Sequence, residues 1–230
     1  MLEWVKRFMP RSSKPEITPE RWSEFRRAKQ AALERFLGPM DDVIGHAIVP
    51  FDAGGSVDLF FFPARRRGTV VVTMDLIDPN GNGPQSTQLG PYELVICTRL
   101  RRASAYAIDP ETGQMSADVD DERFALITGW FCRLLTAIAR DALKAEIQPG
   151  DAYEFPAQEG EPAHYVIFDR FDSGGQLFEV EGKKYGLLLC LEIFPSELEY
   201  AQTHGTEALI ARLKEAQVYP YSDLDRQPVA

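Results

Sequence analysis

The spacing of apolar residues changes period several times along the chain. After a polar, proline-bearing stretch from Arg11 to Pro15, Thr18 stands where a helix cap belongs, and Pro19 suits the first helical position. Trp22, Phe25, Lys29, Leu33 and Phe36 then fall on one helical face broken only by the stem of Lys29, and Gly38-Pro39 predicts the end. Residues 1–17 are therefore expected to be a flexible leader, and residues 18–230 a domain. From Val43 to Thr98 the pattern shifts to short β-like runs, Ile44–Val49, Val57–Phe62, Thr69–Ile77 and Tyr92–Thr98, separated by Gly, Pro and Asn turns. The run from Thr69 to Met74 is apolar without alternation, which predicts a central strand covered on both faces.

Helical spacing returns after Asp120, Asp121 and Glu122, whose charges oppose the positive end of a helix dipole. Phe124, Ile127, Trp130, Phe131, Leu134, Leu135, Ile138, Ala142 and Leu143 continue it until Pro149-Gly150. Two further β-like runs follow, His164–Phe168 and Tyr185–Phe194, with a turn at Ser173-Gly174-Gly175 between them. Ser196 and Glu199 have capping-box spacing, Gly205 predicts a stop, and Thr206 is positioned to cap a last helix carrying Leu209, Ile210 and Leu213. This order predicts an α+β fold, with a mixed, largely antiparallel sheet and helices packed on it in a sandwich-like way; it differs from a doubly wound nucleotide fold. One internal echo, Phe51-Asp52-Ala53-Gly54-Gly55 and Phe171-Asp172-Ser173-Gly174-Gly175, reads as a shared way of turning into a strand.

Composition narrows the function. With 25 basic and 35 acidic residues the formal charge is -10, which repels nucleic-acid phosphates and anionic lipid and favours a basic protein partner. Cys97, Cys132 and Cys190 sit in apolar runs and are expected to be reduced core residues of a cytoplasmic protein. The first ten residues lack the apolar core of a signal peptide, and no apolar run is long enough to span a bilayer.

Chemical motifs are sparse. The three histidines, His46, His164 and His204, and the three cysteines are scattered singly, against the tight local pairs that zinc requires. Asp78-Pro79-Asn80-Gly81-Asn82-Gly83 matches the first half of a calcium loop, but Leu89 occupies the place of the bidentate glutamate, so a turn is expected and no cofactor or metal is assigned. A phosphate-binding glycine motif and a nucleophile elbow are both missing. Arg65-Arg66-Arg67 reads as a solvated hairpin tip. The enzymatic alternative is a small hydrolase or ligand-binding enzyme with a cleft near His46 or His164.

Three segments in order resemble the suppressor of fused-like family. They are Val57–Pro63 with Val71–Asp78 and Tyr92–Ile96; the helix with Trp130, Leu134, Leu135 and Ala139-Arg140 leading to Gly150-Asp151; and Leu191–Pro195 through Leu213 to Ser222-Asp223-Leu224-Asp225-Arg226. Asp75 and Ile77 depart from the family's usual Gly and Ser. The resemblance implies a non-catalytic binding domain. Animal relatives take an extended segment of a transcription factor as an added strand, and bacterial relatives, closer in length, are often proposed as immunity proteins against toxins. By that analogy Asp78, Glu93, Asp225 and Arg226 become candidate partner contacts, on an acidic surface or sheet edge.

Overall fold

Two strands at the centre of the sheet run parallel, and antiparallel strands flank them on either side. The computed structural model describes residues 17–63, 68–101, 120–157, 162–171 and 177–230. The expected leader falls outside these residues except for Ile17, as do Arg65-Arg66-Arg67 and the turn at Ser173-Gly174-Gly175. The strands are β1 (Ile44–Gly45), β2 (Leu59–Phe62), β3 (Thr69–Val72), β4 (Gln85–Ser86), β5 (Gly90–Thr98), β6 (Ala152–Phe155), β7 (His164–Arg170), β8 (Phe178–Val180) and β9 (Lys183–Ile193). The main sheet runs β1-β2-β3-β5-β9-β7-β6, with β4 beside β5 and β8 beside β9. Among the described strands only β5 and β9 pair in parallel, from Tyr92↔Gly186 to Val95↔Leu189. With helices α1 (Pro19–Leu37), α2 (Asp120–Ala142), α3 (Pro195–His204) and α4 (Thr206–Glu215), this is the expected α+β architecture.

Both sheet faces are covered, which explains the unbroken apolar runs. Phe60, Phe62, Val70, Val72 and Leu189 face a layer that includes Phe25 and Leu33 of α1, Leu198 of α3 and Leu209 of α4. Their neighbours Leu59, Phe61, Val71 and Leu188 face the opposite layer, with Phe131, Leu134 and Ile138 of α2. Period-2 alternation therefore sorts residues between two apolar layers, where an open sheet would place one face in water.

Local signals set most boundaries. Thr18 caps α1 by accepting from Arg21 N at 3.2 Å, and Gly38 ends it at φ 90°. Three expectations are corrected. The β3 run stops at Val72 because Thr73–Ile77 peel away to enclose Glu93, and α3 begins at Pro195, so its first-turn bond is Phe194 N to Glu197 (2.9 Å). Ser196 instead donates to Ala230 O, and Gly205 precedes α4 where Thr206 was expected to cap it.

The apparent break in the apolar stripe of α1 is its anchor. Lys29 is completely buried, and its Nζ donates to Met74 O (2.7 Å), Ile77 O (3.0 Å) and Glu93 Oε1 (2.7 Å). Glu93 Oε2 also accepts from Thr73 Oγ1 (2.7 Å) and Leu76 N (3.3 Å), and Oε1 from Ile77 N (3.1 Å). Every donor of the ammonium is engaged, and both carboxylate oxygens are shared.

Removing one partner strands the other in an apolar interior. Lys29→Met is expected to cost about 3–5 kcal/mol in urea unfolding, and Lys29→Met with Glu93→Gln to cost less than the sum of the single changes. Cys97 and Cys190 are fully buried, Cys132 is partly exposed, and none is in a disulfide. Thiol titration should find no more than one reactive group in the native protein and all three after denaturation.

Candidate functional site

The C-terminal segment fills the gap where the two parallel strands separate. Beyond Val95 and Leu189 the strands diverge, and Ser222 is placed between them. Ser222 N donates to Cys97 O (2.8 Å), while its hydroxyl donates to Cys190 O (3.3 Å) and accepts from Glu192 N (3.0 Å). The next residue closes the end of β5: Asp223 accepts from Thr98 Oγ1 (2.5 Å) and Arg99 N (2.8 Å). Burial pushes the Asp223 carboxyl up from its ordinary value, although both bonds pull the other way.

Above this plug lies a groove of about 570 Å³ with Leu126, Ile127, Trp130 and Leu224 among its walls and Asp225 and Arg123 at its rim. Glu192 closes part of it from β9. Its Oε2 accepts from Trp130 Nε1 (2.6 Å), and its Oε1 meets His164 Nδ1 (2.7 Å), with the two rings 4.4 Å apart. His164 is thus held inside the wall against a buried carboxylate.

The four expected contact residues are not brought together. Asp225 is exposed and pairs with Arg123 across 3.0 Å at the groove rim. Arg226 turns inward: its guanidinium takes both oxygens of Glu197 at 2.6 and 2.8 Å, and Glu197 also accepts from Phe194 N and Val229 N. Glu93, expected on an exposed strand position, is buried against Lys29, because its side chain points to the α1 face of a strand covered on both sides. Asp78 is half-exposed and stabilises its own turn, accepting from Asn80 N and Asn82 N at 2.8 Å. Among the described residues no three His, Cys, Asp or Glu side chains gather as metal ligands.

His46, just after β1 at one edge of the sheet, is exposed to solvent, with Nδ1 2.9 Å from Asp58 Oδ2. It borders a second cleft of about 490 Å³. No Ser or Cys side chain bonds to its ring among the described residues. Reasoning from sequence missed Trp130 and Glu192. The signal for Glu192 was present, since it is the lone charge in the apolar run Leu187–Phe194.

The suppressor of fused protein family matches residues 56–227, three quarters of the chain, and the chain belongs to that family. No curated protein matches it. Among solved structures it is similar to one titled the Sufu-Fu complex crystal structure, at 14% identity and a TM-score of 0.57, over 90% of this chain and 91% of that one. At that identity the likeness establishes the fold alone. None of the described helices is long and apolar enough to cross a membrane.

The Glu197 clamp carries a pH signature. Burial alone would push its carboxyl up, but the Arg226 guanidinium and the N–H groups of Phe194 and Val229 outweigh it and hold it below its ordinary 4.5. A depressed carboxyl stabilises the fold above its unfolded value, and that contribution is lost as pH falls through the folded value. Glu197→Gln should therefore lower the melting temperature at pH 7 and narrow its gap to the parent protein as pH drops below about 4.

Proposed function

We propose that the chain is a non-catalytic protein-binding module that recognises a basic partner, and that it acts in the cytoplasm as a bacterial immunity protein. Membership of the suppressor of fused family is the observation that carries this reading. The similar solved structure is, by its title, a complex of two proteins. The formal charge of -10 supports the basic partner, since long-range attraction speeds encounter between opposite charges. Asp225 and Asp78 reach solvent and can contribute to contact, whereas Glu93 and Arg226 act only through the fold. The outer strand β6, paired only with β7 among the described strands, offers an edge for strand addition, with Glu154 exposed on it.

A second reading, a hydrolase centred on His46, is favoured by the Asp58–His46 hydrogen bond beside a cleft. The nucleophile that such a pair would activate is not bonded to it, so the binding reading is preferred.

Affinity capture from the native host, followed by kinetics across a salt series, tests the proposal. Association should slow as salt rises, with dissociation changing little. Asp225→Ala is expected to weaken binding by about 0.5–1 kcal/mol, the range of an exposed ion pair, without changing the melting temperature. Association indifferent to salt would overturn the electrostatic part of the reading. A turnover abolished by His46→Ala in a folded protein would favour the hydrolase.

A further inference from the structure

Beyond β1 the chain builds a closed corner. Ser56 N donates to Val49 O (3.2 Å), Gly55 N donates to Pro50 O (2.9 Å), and Pro50 and Ser56 form an isolated parallel bridge. Gly55 permits this closure, because a Cβ there would lie 1.7 Å from Val49 O. From α2, Arg140 donates to Gly54 O and Gly55 O at 3.0 and 3.1 Å. The Asp-Ala-Gly-Gly turn is therefore pinned at both ends.

A loop held this firmly could tuck its apolar side chains inward, yet this one presents them to water. Ile48 is 101% exposed and Val49 is 49% exposed. The same loop walls the cleft beside His46, which joins the apolar surface of Trp22, Phe51 and Leu76 to the carboxylates of Asp52, Asp58 and Asp75. Asp75 is matched by Arg26 at 3.0 and 3.1 Å. Asp58 accepts from Ala47 N at 2.9 Å and meets His46, whereas Asp52 is exposed on the loop. Of the three carboxylates only Asp75 is bonded to a guanidinium, and an apolar knob stands beside them.

We propose that this corner docks an extended basic segment of a protein partner, with one cationic side chain entering the cleft toward Asp52 and Asp58 and an apolar side chain covering Ile48 and Val49. The inference rests on the reading of the chain as a protein-binding module and assigns that reading a surface. The charge balance selects a cation, and the exposed Ile48 selects an apolar neighbour. In an extended segment, residues i and i+2 point the same way, roughly 7 Å apart, so both can engage one face of the corner. Desolvation between Trp22 and Phe51 strengthens the ionic contact relative to open solvent.

The probe is an end-blocked pentapeptide, leucine-serine-arginine-serine-leucine, with a control carrying glutamate in place of arginine. Both are titrated into the full-length, nitrogen-15-labelled protein. Backbone amides from His46 to Asp58 and the Trp22 indole should shift with the arginine peptide and not with the control. Asp52→Asn combined with Ile48→Ser should weaken binding about tenfold, the equivalent of one charged hydrogen bond. Both positions are exposed, so the variant should keep the parent melting temperature. Asp58→Asn is avoided because Asp58 also holds Ala47 and His46. Shifts confined to the groove at Asp225 would overturn the placement and leave the protein-binding reading standing. Equal binding of both peptides would overturn the charge chemistry, and no binding of either would overturn the docking surface. Corner shifts that depend on protein concentration without peptide would assign the corner to a second copy of the chain and overturn the proposal. The protein-binding reading fails separately, in the capture and salt-series experiment.

Discussion

Two glutamates on the central parallel strands are buried, and the architecture answers each from a different helix. Glu93 on β5 points toward α1 and is neutralised by Lys29; Glu192 on β9 points toward α2 and is held by Trp130 and His164. A carboxylate buried without partners would cost far more than any one apolar contact returns. Both helices must therefore be in register with the sheet before its centre can be dry. That requirement gives α1 a defined position along the sheet, which apolar packing alone leaves adjustable. It also couples the two faces through adjacent strands.

Parallel pairing brings a second constraint. Two parallel neighbours need a long connection, and here the chain from β5 to β9 passes through α2, β6, β7 and β8. Where β5 and β9 separate, their backbone groups would be left unpaired. The Ser222 amide and hydroxyl supply those bonds, and Asp223 closes the end of β5. The C-terminal segment is thus part of the central sheet's hydrogen bonding, and the Arg226–Glu197 clamp holds it against α3. The groove beside Asp225 is the surface of this plug, so its shape follows from how the two strands end.

Much of this was readable from the chain. The α1 cap at Thr18, the long α2 stripe and the two-sided burial of Val70–Val72 follow from apolar period and from Gly and Pro placement. What was hidden is long-range pairing of charge. Lys29 looked like a stem crossing an apolar face, and Glu93 like an exposed strand residue, because each sequence signal is local and their partners are 64 residues apart. Short edge elements also escaped. The strands β4 and β8 have two and three residues, too few for a period to show, and their position depends on the long strands they join.

The burial pattern divides the carboxylates into two populations with different consequences. Glu93, Glu192, Glu197 and Asp223 are enclosed and bonded to partners inside the molecule, so changing them alters stability first. Asp52 and Asp225 reach solvent, and Asp58 and Asp75 line a cleft that solvent enters, so their fields extend beyond the surface. The net charge of -10 counts both populations, but only the second meets a partner directly, because the enclosed carboxylates are already bonded to groups inside the molecule. A family resemblance located near Asp78, Glu93 and the Asp225-Arg226 pair therefore points to two different things at once. Glu93 and Arg226 mark how the domain is held together, while Asp78 and Asp225 stand where another protein could touch it. Separating these roles requires the fold, since motif position carries no information about which way a side chain faces.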